Sequence, residues 1–472
     1  MSGRRGQGRA GSGAGRGRWR RAARVLLLLL ALSQGGCWDR RELEEMAFVL
    51  ALGLDQDPEG GGLRMTAMVA IPNKMAGGGQ DGGGEEDTVL VTTARAATVP
   101  EGLNLMDTYL DRRISLEHTK VMVLGRSLAE EEGLWPLMDF LGRFRSVRRT
   151  VPVMVAETTG EEVLAEIQPV LERDPHRYLE FLPFTTRDTG LSPQGAHLHE
   201  LLTFTENPGI EPVSHWVALR KQPGGMNTEG AGKEGARPDG GGKQGGGEGN
   251  EGSEDGGSAG GGPGQGSPPL PGPAEPRGWE PGALPRRGGP NLEMVGAAVF
   301  RDGRMVGTMS GEEVRSLNLL RGRFRRAFLS VPDPLAPGQQ VALEIRAGQA
   351  PRYRVSLAGG RPAISGRVPV EVEVQGIPSG VDYSRPEHQG ALARAVQAEL
   401  EAGIRKLIRR AQEEWQSDVI GLGLRVAPLF PTYDRWGAYG WDQRFPEAAI
   451  DIRVDVNLRR FGMQLQPPNP GR

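Results

Sequence analysis

The sequence predicts an α+β protein: a mixed α/β N-terminal domain, then an antiparallel sheet packed on one long helix. Three observations carry that expectation. Between residues 46 and 223, short apolar runs alternate with helix-like segments, the pattern of a sheet covered by helices. From residue 291 onward, several runs place apolar residues at every second position, as half-buried antiparallel strands do. Near the C-terminus, Leu392, Val396, Leu400, Ile404, Leu407, Ile408, Ala411 and Trp415 recur every three or four positions. That is one apolar stripe on a helix about 40 Å long at 1.5 Å per residue.

In chain order, residues 1–36 read as a signal peptide. Eight arginines (Arg4, Arg5, Arg9, Arg16, Arg18, Arg20, Arg21, Arg24) precede the apolar run Val25 to Leu32, and Gly35 and Gly36 follow it. The run is too short to cross a bilayer, which takes about 20 apolar residues. Cys37, the only cysteine of 472 residues, comes next. An exported chain with one cysteine forms no internal disulfide, so the thiol is either unused or a lipidation site. Its place against the leader favours lipidation at Cys37, although Gln34 stands where a lipobox carries Leu.

Residues 37–223 form the expected N-terminal domain. "FVLALGLD" and "LRMTAMVAI" flank "QDPEGGG" and pair as a hairpin. A helix follows with Thr98 at its N-cap and Pro100 in its first turn. "HTKVMVLG" reads as a buried strand, and Ser127 to Phe144 as a helix whose apolar face is Leu128, Leu134, Leu137 and Leu141. "TVPVMVAE" is a strand and "TGEEVLAEIQPVLE" a helix capped by Thr159. Ala76 to Asp87 reads as a surface loop. Residues 224–290, dominated by Gly, Pro, Ser and Glu, are expected to be a disordered tether. Glycine-rich matches to phosphate loops within it lack the flanking strand and helix.

Residues 291–472 form the expected C-terminal domain, with a subdomain break near 335. "GAAVFRDGRMVGTM" is a hairpin turning at Asp302-Gly303, as type I′ geometry wants. "VALEI", "YRVSL" and "VPVEVEV" supply antiparallel strands, and "AIDIRVDVNLRRF" completes the sheet after the long helix.

Charge excludes some functions. The chain carries 57 basic and 59 acidic residues; without the leader's eight arginines the balance is 49 to 59, a net of about −10. That argues against nucleic acid, which wants a basic face, and against broad adhesion to anionic lipid. No cofactor or metal is implied: His197 and His199 lie at a helix start where their rings diverge, and no cysteine or acidic cluster completes a set. His118 reads as a hydrogen-bonded structural histidine. Glu130 to Glu132 and Glu413-Glu414 read as solvated helix faces rather than the facing carboxylates of a wall hydrolase. The aromatic segment Tyr433, Trp436, Tyr439 and Trp441 reads either as a loop folded over its own sheet or as a partner-binding patch, its ring types being those enriched at hot spots.

"GCWDRRELEEMAFVLALGLD" resembles the opening of the Ger(x)C family, C-subunit lipoproteins of bacterial spore germinant receptors, in which Cys-Trp-Asp-x-x-Glu follows the lipobox. The resemblance continues in "ISLEHTKVMVLGRSLAEEEGLWPLMDFLGR", "GAAVFRDGRMVGTMSGEEVRSL" and Val341 to Phe461, nearly the whole chain after Gly36. It implies a non-enzymatic peripheral subunit, lipid-anchored on the outer surface of the spore inner membrane, with two integral-membrane partner subunits and a role in nutrient-triggered germination. A solute-binding lipoprotein of a transporter would share the anchor. It would need two α/β lobes of parallel strands, which the alternating strands of the second half disfavour.

Overall fold

A computed structural model describes residues 43–71, 88–144, 146–220, 279–357, 359 and 361–460, with the short pieces 19 and 23–25. Cys37, most of the leader, the loop expected at 76–87 and residues 224–278 of the expected tether lie outside the described residues.

The first sheet has nine strands: β1 (Met46–Gln56), β2 (Leu63–Ala70), β3 (Val89–Ala96), β4 (Arg113–Ser115), β5 (Val121–Gly125), β6 (Val153–Ala156), β7 (Val213–Leu219), β8 (Leu292–Arg301) and β9 (Arg304–Met309). Their order is β3-β2-β1-β5-β6-β7-β8-β9, with β4 beside the start of β1. β1, β5, β6 and β7 run parallel, while β2, β3, β8 and β9 are antiparallel flanks. The parallel strands are near-continuous apolar runs because both faces are covered. On one face pack α1 (Val99–Met106), α2 (Arg126–Glu131) and α3 (Trp135–Arg143), through Leu103, Leu128 and Leu137. On the other lie α4 (Gly160–Glu166) and α5 (Pro175–Thr185), through Val163, Leu164 and Leu179. The first face is completed by α6 (Leu198–Thr205). Thr98 caps α1 and Thr159 caps α4, each accepting the N–H three residues on.

The helix expected from Ser127 to Phe144 is two helices. Gly133 breaks it in the left-handed region (φ 73°), and the next residue, Leu134, donates its N–H to the Gly303 carbonyl at 2.7 Å. The break thus admits the tip of the β8–β9 hairpin. That tip is the expected type I′ turn, with Asp302 and Gly303 both at positive φ (51° and 75°).

The hairpin itself sits elsewhere than expected. It belongs to the first sheet, where β8 pairs with β7, and not to the C-terminal one. β8 is buried along all but its last residue, and the open edge of β7 supplies both the ladder and the covered faces that such a strand needs. The last part of the expected tether is also ordered. The buried Glu293 accepts from Gly282 N–H at 2.7 Å and from Arg286 Nε at 2.5 Å, and the Trp279 carbonyl accepts from Gly311 at 2.9 Å. A buried carboxylate needs such partners, and residues 279–290 provide them.

After α7 (Gly311–Arg321), whose Ser310 and Glu313 make a capping box, the second sheet begins. It comprises β10 (Arg326–Pro332), β11 (Gln340–Ala347), β12 (Arg352–Ser356), β13 (Ala363–Gly376) and β14 (Ala449–Arg460). β13 organises it: Ala363 to Arg367 pair with β12, Val370 to Gly376 pair with β11, and the opposite edge pairs with β14. α8 (Pro386–Arg409) buries the expected stripe from Leu392 to Ile408, and a wider turn at Arg410–Glu414 extends it. β14 departs from expectation by running parallel to β13. The intervening α8 carries the chain back along the sheet, so β14 starts from the same end as β13; a direct hairpin would have reversed it.

Residues 209–212 and 415–424 join the two sheets. Glu211 N–H donates to the Asp418 carbonyl at 3.0 Å, Leu424 N–H to Gly209 at 3.2 Å, and Ser417 Oγ to Phe300 at 2.7 Å. Arg321, half-buried, donates to the carbonyls of Val419 and Glu211. The Glu211 carboxyl accepts from Asp302 N–H at 3.2 Å, but burial pushes its pKa up to about 8, with Asp302, Asp442 and Asp418 adding repulsion. Unfolded, the same group titrates near the ordinary 4.5. Between those values the folded state holds a proton that the unfolded state has lost, so stability falls as pH rises through this window. Glu211→Gln is expected to flatten that slope and raise stability at pH 8 by about 2 kcal/mol, less than the full shift because the carboxyl is partly exposed. Urea titrations of both proteins at pH 5 and pH 8 check this; equal slopes would reject a titrating Glu211.

Candidate functional site

The aromatic segment expected as a partner-binding patch folds as α9 (Tyr433–Tyr439) and α10 (Trp441–Arg444), with Gly440 at positive φ (65°) ending the first. Trp436 and Trp441 are core residues, 5% and 1% exposed. The partner-binding reading is therefore corrected for these two: their rings are already covered by the protein. Trp436 lies 5.5 Å from Phe430 and 6.2 Å from Trp441, which lies 5.8 Å from Phe445. Trp441 Nε1–H donates to Asp418 Oδ2 at 2.9 Å, and the same carboxylate accepts the N–H groups of Gly421, Leu422 and Gly423. Tyr439 is partly buried against Phe430 at 4.7 Å, under the Arg444 guanidinium. Only Tyr433 of the four stands out, 71% exposed. The helical spacing of Trp436 and Tyr439 and the nearby Phe430 and Phe445 were the readable signs of a core cluster.

The carboxyl end of β1, where doubly wound sheets usually take ligands, is closed here. Asp55, at the end of β1, accepts the N–H groups of Gly160 and Glu161 at 2.6 and 2.9 Å and so fills the N-terminus of α4. Burial pushes its pKa up, and those two hydrogen bonds oppose the shift.

The opposite, amino ends of β5, β6 and β7 form a cleft of about 360 Å³. Lys120 enters from just before β5, and Pro152 from just before β6. His215 lies within β7, and Glu180 and Arg187 come from α5 and the turn after it. Lys120 Nζ pairs with Glu180 at 3.0 Å. His215 is fully buried: its Nδ1 lies 2.9 Å from Ser192 Oγ and its Nε2 has no hydrogen-bond partner. Burial drives its pKa down to about 3, with the nearby Gly195 backbone opposing, so the ring is neutral. His197 and His199 diverge as expected. His199 is exposed, whereas His197 turns inward to line the cleft, its Nδ1 buried without a partner. The cleft draws on five separated segments, which no spacing in the sequence announces; a histidine inside the apolar run "VSHWVAL" was the one visible sign.

His118 is exposed and meets the Phe48 ring edge-on at 4.6 Å. Glu130 to Glu132 and Glu413-Glu414 are exposed on their helices. Among the described residues, no group of three or more His, Cys, Asp or Glu could hold a metal ion.

Residues 39–218 match the family model described as the spore germination protein N-terminal domain, and residues 295–462 the one described as spore germination B3/GerAC-like, C-terminal. The chain belongs to this family of spore germination proteins, as a germinant receptor C subunit. It is 24% identical over 442 residues to spore germination protein KC of Bacillus subtilis (strain 168), covering 92% of this chain and 93% of that one. It is 28% identical over 195 residues to the putative spore germination protein YfkR of the same organism, covering 40% and 48%. The crystal structure of the GerBC protein overlays with a TM-score of 0.47 at 14% identity, covering 89% of this chain and 99% of that one.

The Asp418–Trp441 bond predicts a graded mutational response. Trp441→Ala is expected to cost about 4 kcal/mol, by leaving a large cavity and removing one of the two donors to Asp418 Oδ2. Trp441→Phe keeps most of the packing and should cost about 1–2 kcal/mol, chiefly the lost hydrogen bond. Denaturant titration of the full chain measures both, and a neutral Trp441→Ala would return the ring to the surface.

Proposed function

We propose that the chain is the lipid-anchored, non-enzymatic subunit of a nutrient germinant receptor, tethered through Cys37 to the outer surface of the spore inner membrane and assembled there with integral-membrane subunits. The observation that carries this reading is the family match on both sides of the Gly/Pro-rich segment. The order of basic run, short apolar run, small residues and Cys37 supports acylation of that thiol. Among the described residues, no helix is long and apolar enough to cross a membrane. Attachment then falls to the lipid and to partners. Of the aromatic residues expected to meet those partners, Tyr433 is the one whose ring is still largely exposed.

Cys37→Ala is expected to shift the protein from the membrane fraction of spores to the soluble fraction, or to leave it as unprocessed precursor. A processed, membrane-bound alanine variant would end the lipid-anchor reading. Tyr433→Ala should weaken co-purification of the membrane subunits by about 1 kcal/mol or more, roughly a fivefold loss, with an unchanged melting temperature. Undiminished co-purification removes Tyr433 from the interface.

A further inference from the structure

We propose that the cleft at the amino ends of β5, β6 and β7 binds a small organic carboxylate. The inference rests on the cleft alone and stands whether or not the receptor reading does.

The volume suits a small molecule: about 360 Å³ lies in the range of pockets that enclose organic ligands. Its charge selects the sign. Lys120, Arg148 and Arg187 line it against the single acid Glu180, which is already engaged by Lys120. Among the described residues Arg148 and Arg187 have no ion-pair partner, and the Arg187 guanidinium instead lies over the Phe184 ring at 5.4 Å. A chain with more acids than bases has thus gathered unpaired guanidinium groups at one concavity. Guanidinium is the side chain whose planar fork matches a carboxylate.

The second observation is the pair of histidines in the wall. Buried polar atoms without partners are rare in folded proteins, and two meet here, Nε2 of His215 and Nδ1 of His197. His215 Nδ1 lies 2.9 Å from Ser192 Oγ, and in the neutral tautomer in which Oγ donates to Nδ1, Nε2 carries the hydrogen and is a donor in want of an acceptor. A carboxylate is acceptor only, and would satisfy it beside the guanidinium groups. Beside Thr119 and Thr150, the wall carries the apolar side chains of Val151, Pro152, Pro183, Phe184 and Pro193, which give an apolar body a place to lie. A bare inorganic anion would leave that surface unmatched.

The test is calorimetric titration of the purified full chain in detergent at pH 7 and constant ionic strength. The probes are isobutyrate, isovalerate and phenylacetate, with their neutral amides and inorganic phosphate as controls. At least one carboxylate is expected to saturate with a Kd of about 10 mM or tighter, with its amide and phosphate at least about tenfold weaker. Arg148→Gln and Arg187→Gln, both at the rim, are each expected to weaken that binding about tenfold with unchanged melting temperature. His215→Gln should also weaken it; since that ring is buried, the arginine variants decide the case if it fails to fold. Saturation by none of the carboxylates overturns the proposal. So does equal binding of phosphate or of the amides, or binding indifferent to both arginines. Loss of the membrane anchor in Cys37→Ala would change none of these results.

Discussion

The buried carboxylate of Asp418 is the point on which the join between the two sheets turns. An unpaired carboxylate in a protein interior costs several kcal/mol in desolvation, and here four donors offset it: three successive backbone N–H groups and the Trp441 indole. Burial still pushes its pKa up, so the compensation is incomplete. Those same bonds fix the turn 418–423, so that the Asp418 carbonyl accepts from Glu211 and the next amide, Leu424, donates to Gly209, just before β7. The ring that caps the carboxylate belongs to the aromatic cluster covering the end of the second sheet. One ion thereby couples the connection between sheets to the packing of α9 and α10.

β13 plays the corresponding part within the second sheet. Because its two halves share one edge between β12 and β11 while β14 runs along the whole of the other, a change in its register would displace every strand of that sheet but β10 directly. Its alternation of buried Ile364, Val368, Val370, Val372 and Val374 with more exposed neighbours holds the register against α8.

What the sequence announced were features set within a few residues. The stripe of α8, the caps Thr98 and Thr159, the Asp302-Gly303 turn and the period-two strands all depend on local geometry, and each is found where expected. Features set by distant partners were not legible. Nothing within "AIDIRVDVNLRRF" distinguishes a parallel neighbour from an antiparallel one, since alternation reports faces and not direction. The hairpin after the glycine-rich segment showed its turn but not the edge it would join. Trp436 and Trp441 looked like a surface loop because Gly437 and Gly440 suggested irregular chain; the carboxylate that buries Trp441 lies 23 residues away. The cleft is the extreme case, assembled from residues between 119 and 215.

The placement of β8 changes what the Gly/Pro-rich segment is. β7 and β8 are hydrogen-bonded neighbours, and Arg220 N–H donates to the Asn291 carbonyl at 2.7 Å, so the chain leaves the first sheet and re-enters it almost at the same spot. The segment therefore spans no gap: it is a hairpin connection, drawn out, within one sheet. Its length sets neither the distance nor the angle between the two sheets, which are joined by α7 and by the contacts of residues 209–212 with 415–424. Each doubling of such a connection adds only about 0.6 kcal/mol of closure entropy. Evolution can lengthen or shorten it at little thermodynamic cost, because its two ends are already held together by β7 and β8.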